Sequence, residues 1–119
     1  MGVAVGIDLG TTNSCVAVVQ GQQAKVVENS RGNRIHPSVI SFHPNGETLT
    51  GQLAKDRLVI DPSNTIYSFK RLIGRDLKTP EMAELIRSFP FEVIDKNGIP
   101  VLKTRQRETT LPEVSAIML

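Results

Sequence analysis

Residues 8–14 read DLGTTNS and lie between two apolar runs, AVGI and CVAVV. One carboxylate, one glycine, three hydroxyls and an amide within seven positions exceed what a turn between strands needs, since a signal such as Asn-Gly closes a plain hairpin. A loop of this kind can bind phosphate when its backbone N–H groups converge and its side chains add hydroxyl donors. Gly10 lets the backbone approach ligand oxygens without a side chain in the way. Thr11 and Thr12 each offer an N–H and a hydroxyl. Asp8, at the end of the preceding strand, suits a hydrated Mg²⁺, which takes oxygen ligands and keeps several waters. The loop is not a Walker A motif, because it lacks Gly-Lys-Ser/Thr and a strand rather than a helix follows it. The residue types alone leave a second reading open, a polar turn closed by an Asx-type hydrogen bond from Asp8 or Asn13.

The elements that must hold this loop follow from periodicity. Val3, Val5, Ile7 and Leu9 alternate with Ala4, Gly6, Asp8 and Gly10, so residues 3–9 are predicted as a strand. Its branched face is expected in the core, and its other face is trimmed to small residues apart from Asp8, which lets a ligand come close to the backbone. Residues 14–20 and 24–29 are predicted as the next two strands of an antiparallel meander. SVISF (38–42) and Thr48–Thr50 follow, with Asn45-Gly46 as a hairpin signal between them. Two helices are predicted next. One covers 51–60; the other covers 63–74, with Ser63, Asn64 or Thr65 as N-cap, Gly74 as C-cap, and an apolar stripe of Ile66, Phe69 and Ile73 beside Leu72. Thr79-Pro80-Glu81 starts a further helix. FEVIDKNGIPVLK is predicted as two strands joined at Lys96 to Gly98, and a last helix begins at Pro112. That helix ends on Ile-Met-Leu without a glycine, a cap or a basic last turn, and reads as cut.

Composition bounds the function classes. A chain of 119 residues with 39% hydrophobic and 22% charged residues is one soluble domain at most. A net charge of +2 gives no argument for nucleic acid. No apolar run is long enough to span a membrane, and Gly6 and Asp8 interrupt any signal-peptide pattern. Met1-Gly2 invites a myristoylation reading, but position 6 is Gly where that motif requires Ser or Thr. The single cysteine, Cys15, rules out an internal disulfide and is expected to be a buried, inert thiol in a cytoplasmic protein. His36 and His43 read as loop histidines. Lys103, Arg105 and Arg107 alternate along one expected strand face and read as a solvated edge, with no interleaved aromatics to stack bases.

GIDLGTTNSCVAVV resembles the first phosphate loop of the Hsp70 (DnaK-type) molecular chaperones, within the superfamily of actin, sugar-kinase and Hsp70 ATPases. VVENSRGNRIHPSVISF, NGETLTGQLAK, DPSNTIYSFKRLIGR and LPEVSAIML resemble successive Hsp70 segments in order and spacing. The resemblance covers nearly all of this chain but only a small N-terminal part of such a chaperone. It implies an α+β chain (α/β in the parent), an actin-like, ribonuclease H-like ATPase lobe I fragment. Residues 1–37 and 108–119 would lie in the core subdomain and 38–107 in an inserted mixed subdomain.

The resemblance also implies ATP or ADP and Mg²⁺ as cofactors. Asp8 would sit near the Mg²⁺ through water. Gly10, Thr11, Thr12 and Asn13 would line the β- and γ-phosphates, and Gly6 would keep backbone close to ligand. Lys70 would be catalytic, orienting the attacking water and offsetting charge on the γ-phosphoryl, with Arg71 near the phosphates or the domain interface. On its own residue type Lys70 would be read as an exposed helix lysine. The intact protein would bind and release unfolded polypeptides with a J-domain co-chaperone and a nucleotide-exchange factor. The second phosphate loop, the adenosine pocket and the peptide-binding domain of the family have no counterpart in these residues. The chain alone is therefore expected to be inactive as an ATPase, marginally stable and prone to self-association through uncovered residues such as Val16, Val18 and Ile117. Two alternatives stand beside this reading: a non-catalytic remnant acting through protein contacts, and part of another actin-fold phosphotransferase, which would leave KRLIGR and LPEVSAIML unexplained.

Overall fold

The computed structural model describes residues 4–29, 31–105 and 107–119. The Met1-Gly2 motif and the first residue of the expected strand 3–9 lie outside the described residues. The alternating N-terminal run forms β1 (Val5–Leu9), which pairs antiparallel with β2 (Asn13–Gln20). β2 turns at Gly21, whose φ is +62°, into β3 (Gln23–Val26). The short β4 (His36–Pro37) pairs with the start of β2, Asn13 opposite Pro37. A proline is tolerated here because the strand is a two-residue edge piece.

A second sheet has the order β6-β5-β7, with β5 (Val39–Phe42), β6 (Thr48–Thr50) and β7 (Thr65–Tyr67). The β5–β6 hairpin turns through Asn45-Gly46 as expected, with the His43 N–H donating to Glu47 at 2.9 Å and Gly46 at φ +95°. The third sheet is β10-β9-β8, from β8 (Glu92–Lys96), β9 (Ile99–Lys103) and β10 (Glu108–Thr110). Three short α-helices complete the described chain: α1 (Gln52–Lys55), α2 (Pro80–Ser88) and α3 (Leu111–Met118). Thr79 caps α2 through its hydroxyl, and Thr110 with Glu113 forms a capping box on α3. The chain is thus α+β, with every strand pairing among the described residues antiparallel. Among those residues no helix is long and apolar enough to cross a membrane.

One core holds the second and third sheets together. Ile40, Phe42, Ile66, Phe69, Leu72 and Leu102 are fully buried in it, and Leu111 and Val114 of α3 join them. Tyr67 packs edge-on against Phe89 and Phe91 at its rim. Because α3 spends its buried side chains on this core, the branched face of β1 goes uncovered. Val5 is 58% and Ile7 54% exposed, where the alternation predicted a buried face. Val16, Val18 and Ile117, expected to be uncovered, are half-buried: β2 is flanked on both edges, and Ile117 packs against the larger core.

Four other expectations are corrected. The helix over 51–60 is a single turn, α1, followed by a 3-10 turn at Asp56–Leu58. The helix over 63–74 does not form. Thr65-Ile66-Tyr67, β-branched and aromatic, pairs as β7 with β5, and a 3-10 turn, Phe69–Leu72, follows. Lys103, Arg105 and Arg107 do not share a strand: β9 ends at Lys103, and Arg105 lies in the following turn and pairs with Asp61. Cys15 is half-buried rather than buried.

Candidate functional site

The loop between β1 and β2 is closed tightly. The Gly10 N–H donates to the Asn13 carbonyl at 3.0 Å, and a Cβ at position 10 would collide with that carbonyl oxygen. Glycine is required here by the turn itself. Gly6 has open space where a Cβ would stand, on the small face that Asp8 shares with Cys15 and Ala17 across the register. From outside the loop, Ser38 reaches in. Its hydroxyl donates to the Gly10 carbonyl at 2.8 Å and lies 2.8 Å from the Ser14 hydroxyl, and its N–H donates to the Thr12 carbonyl at 2.9 Å. Thr11 and Thr12 are exposed, and among the described residues their N–H groups and hydroxyls have no protein partner.

Lys70 arrives at this loop from the second sheet. Ser68, in the left-handed region at φ +52°, ends β7 and turns the chain into the 3-10 turn. Phe69 and Leu72 anchor that turn in the core, which leaves Lys70 and Arg71 on its outer side. The Lys70 ammonium donates to the Leu9 carbonyl, 61 residues away in sequence. Thr11, Lys70 and Arg71 line one open cavity of about 430 Å³, together with Arg75 and Glu81. Three cations against one carboxylate give that space a positive character suited to an anion.

The other candidates lie apart. Asp8 is exposed, forms no ion pair among the described residues, and is not on the wall of the Lys70 cavity. No group of three or more His, Cys, Asp or Glu side chains gathers among the described residues. Thr12 joins Thr11 on a smaller cavity of about 120 Å³ above Ser38 and Ser68. Asn13 opens onto a separate cleft beside Asn29 and His36. His36 and His43 hold local structure, His36 near the Asn29 amide and His43 accepting from the Asn45 N–H. Ser38 and the Leu9 carbonyl escaped the sequence reading. Nothing in the local pattern of HPSV points to a loop 24 to 28 residues upstream.

The donor set fits a phosphate chain: free N–H groups and hydroxyls on a tight loop, with an ammonium and a guanidinium beside it. An unpaired carboxylate at the edge fits a hydrated divalent cation.

Comparisons with known proteins identify the family. The family described as Hsp70 protein matches residues 4–119. The chaperone protein DnaK of Buchnera aphidicola subsp. Schizaphis graminum (strain Sg) is 42% identical over 120 aligned positions, which take in 100% of this chain and 19% of that relative. The chain therefore spans about a fifth of the length of that relative. A match that runs from residue 4, ahead of the Gly10–Asn13 loop, to residue 119 places the chain in the Hsp70 family.

Proposed function

We propose that this chain forms one wall of the ATP-hydrolysing domain of an Hsp70 chaperone, within an actin-like, ribonuclease H-like lobe. Residues 1–37 and 108–119 belong to its core subdomain and 38–107 to an inserted one. The observation that carries the reading is the Lys70 ammonium held on the Leu9 carbonyl, at the edge of a loop whose Thr11 and Thr12 donors are free. Bound Mg²⁺·ATP supplies the reactive phosphoanhydride and a cation that spreads its charge. Toward it, Thr11, Thr12 and Asn13 offer donors to the β- and γ-phosphates while Gly10 lets the backbone come close, and Asp8 holds the hydrated cation through water. Lys70 orients a water and offsets charge on the γ-phosphoryl, while Arg71 adds a second positive charge. Phosphoryl transfer depends mainly on positioning and electrostatics, and these residue types supply both.

In the intact protein this site drives binding and release of unfolded polypeptides in the cytoplasm, with a J-domain co-chaperone and a nucleotide-exchange factor. Alone, the chain offers one side of a cleft. An ammonium 4 Å from a phosphate is worth about 1 kcal/mol in water, against about 4 kcal/mol in a partly enclosed site. The test is calorimetric titration of the chain with Mg²⁺·ADP, beside an assay of phosphate release from Mg²⁺·ATP. Weak saturable binding is expected, reduced about fivefold by Lys70→Ala, in line with a charge contact of about 1 kcal/mol. Asp8→Ala should weaken it only when Mg²⁺ is present, and phosphate release should stay at blank. Binding indifferent to both substitutions would overturn the assignment and favour a non-catalytic remnant. Turnover abolished by both would show that one wall suffices.

A further inference from the structure

We propose that Ser38 is a positioning residue that sets the donor geometry of the phosphate loop, and with it the affinity for a polyphosphate that Ser38 never touches. The proposal rests on the phosphate-binding reading above. Ser38 is 1% exposed, and its N–H and its hydroxyl are both used on the loop or its flank. The hydroxyl donates to the Gly10 carbonyl, the N–H donates to the Thr12 carbonyl, and the hydroxyl oxygen also meets Ser14 Oγ. Two carbonyls of the loop are thereby turned inward.

A trans peptide unit is planar, and its C=O and N–H point in opposite directions. Holding the Gly10 carbonyl toward Ser38 aims the Thr11 N–H outward, and holding the Thr12 carbonyl inward aims the Asn13 N–H away from Ser38. Ser38 thus uses two hydrogen bonds to aim two loop N–H groups away from itself, and one of them belongs to Thr11, which shares a cavity wall with Lys70. Without the hydroxyl, the Gly10–Thr11 peptide loses the contact that fixes its orientation. The Gly10 N–H to Asn13 bond, which closes the loop, then opens more often.

The experiment compares the chain with Ser38→Ala, Ser38→Thr and Ser14→Ala, using inorganic tripolyphosphate with Mg²⁺ as the probe. Amide hydrogen exchange is read at Gly10 and across the β5–β7 ladder. Loss of one buried hydrogen bond predicts about tenfold faster exchange at Gly10 and about tenfold weaker tripolyphosphate binding in Ser38→Ala. The β5–β7 amides should be unchanged. Ser38→Thr restores the hydroxyl and both readouts, and Ser14→Ala, which keeps the bond to Gly10, stays within about twofold of the parent chain. Unchanged Gly10 exchange in Ser38→Ala overturns the proposal. So does equal acceleration at Gly10 and in β5–β7, which would mark a purely structural serine. If the parent chain itself ignores tripolyphosphate, the phosphate-binding reading fails while Gly10 exchange still decides the clamp.

Discussion

Asp61 gives the sharpest stability prediction, because the segment that delivers Lys70 begins with it. Its carboxylate is 12% exposed and takes the Asn64 amide at 2.9 Å, Arg57 at 3.6 Å, and Arg105 in close contact. Its backbone carbonyl accepts from Thr65, the first residue of β7. The Asn64 amide, with Arg105 and Arg57, holds the carboxyl below its ordinary value of 3.8. Asp61→Asn keeps the shape and removes the charge. A pair of unit charges at this separation is worth about 4 to 5 kcal/mol at an effective dielectric of 20.

Arg105 is 34% exposed, so solvent screens its share, and about 2 kcal/mol is the expected loss on leaving two guanidinium groups without their carboxylate. For a chain of this size that corresponds to a melting temperature lower by about 8 °C. Tyr67 is the only tyrosine and there is no tryptophan, so tyrosine fluorescence during urea or thermal unfolding reports the core directly. The pH dependence has a defined sign. A folded-state pKa below the unfolded one stabilises fully above the unfolded value, and that contribution is lost as pH falls through the lowered folded value. The difference between the parent chain and Asp61→Asn should therefore be full at neutral pH and shrink in acid below 3.8. A deficit under about 0.5 kcal/mol at neutral pH, the ordinary range for a surface substitution, would refute this reasoning. So would a deficit of the same size in acid.

Gly10→Ala should cost the loop about 1 to 3 kcal/mol, because its Cβ meets a backbone carbonyl that cannot step aside. Mg²⁺·ADP binding should fall with little change in the Tyr67-reported transition, and a variant that binds like the parent would contradict the closed turn. Val5 and Ile7 leave an apolar surface on β1, so the chain should show concentration-dependent self-association in sedimentation velocity. The double variant Val5→Thr, Ile7→Thr should be monomeric at the same concentrations, and equal association of both would place the contact elsewhere.

Much of the fold was legible because its signals are local. Period-two alternation announced β1 and β2, Asn45-Gly46 the β5–β6 hairpin, and Thr79-Pro80 the start of α2. The false helix over 63–74 has a physical origin. The expected stripe was Ile66, Phe69 and Ile73 with Leu72 beside them, but it is Ile66, Phe69 and Leu72, spaced by three, that a 3-10 turn following a strand buries, while Ile73 is 48% exposed. The residue types of the loop suggested a phosphate chemistry and left a polar turn open beside it. Lys70 was visible only through the resemblance, since its meeting with Leu9 spans 61 residues. The exposure of Ile7 had no sequence signal, because alternation shows which side chains share a face but not what covers it.

The most direct test of the central claim maps where nucleotide meets the chain. Amide resonances of the isotopically labelled protein are followed while Mg²⁺·ADP is added. Shifts should concentrate at Gly10, Thr11, Thr12 and Asn13, extend to Lys70 and Arg71, and weaken in Lys70→Ala. A separate groove of about 380 Å³, where Ile7, Leu9, Val16 and Met118 face Asn29 and His36, provides the internal comparison. Shifts confined to that groove, with Thr11 and Thr12 silent, would contradict the account.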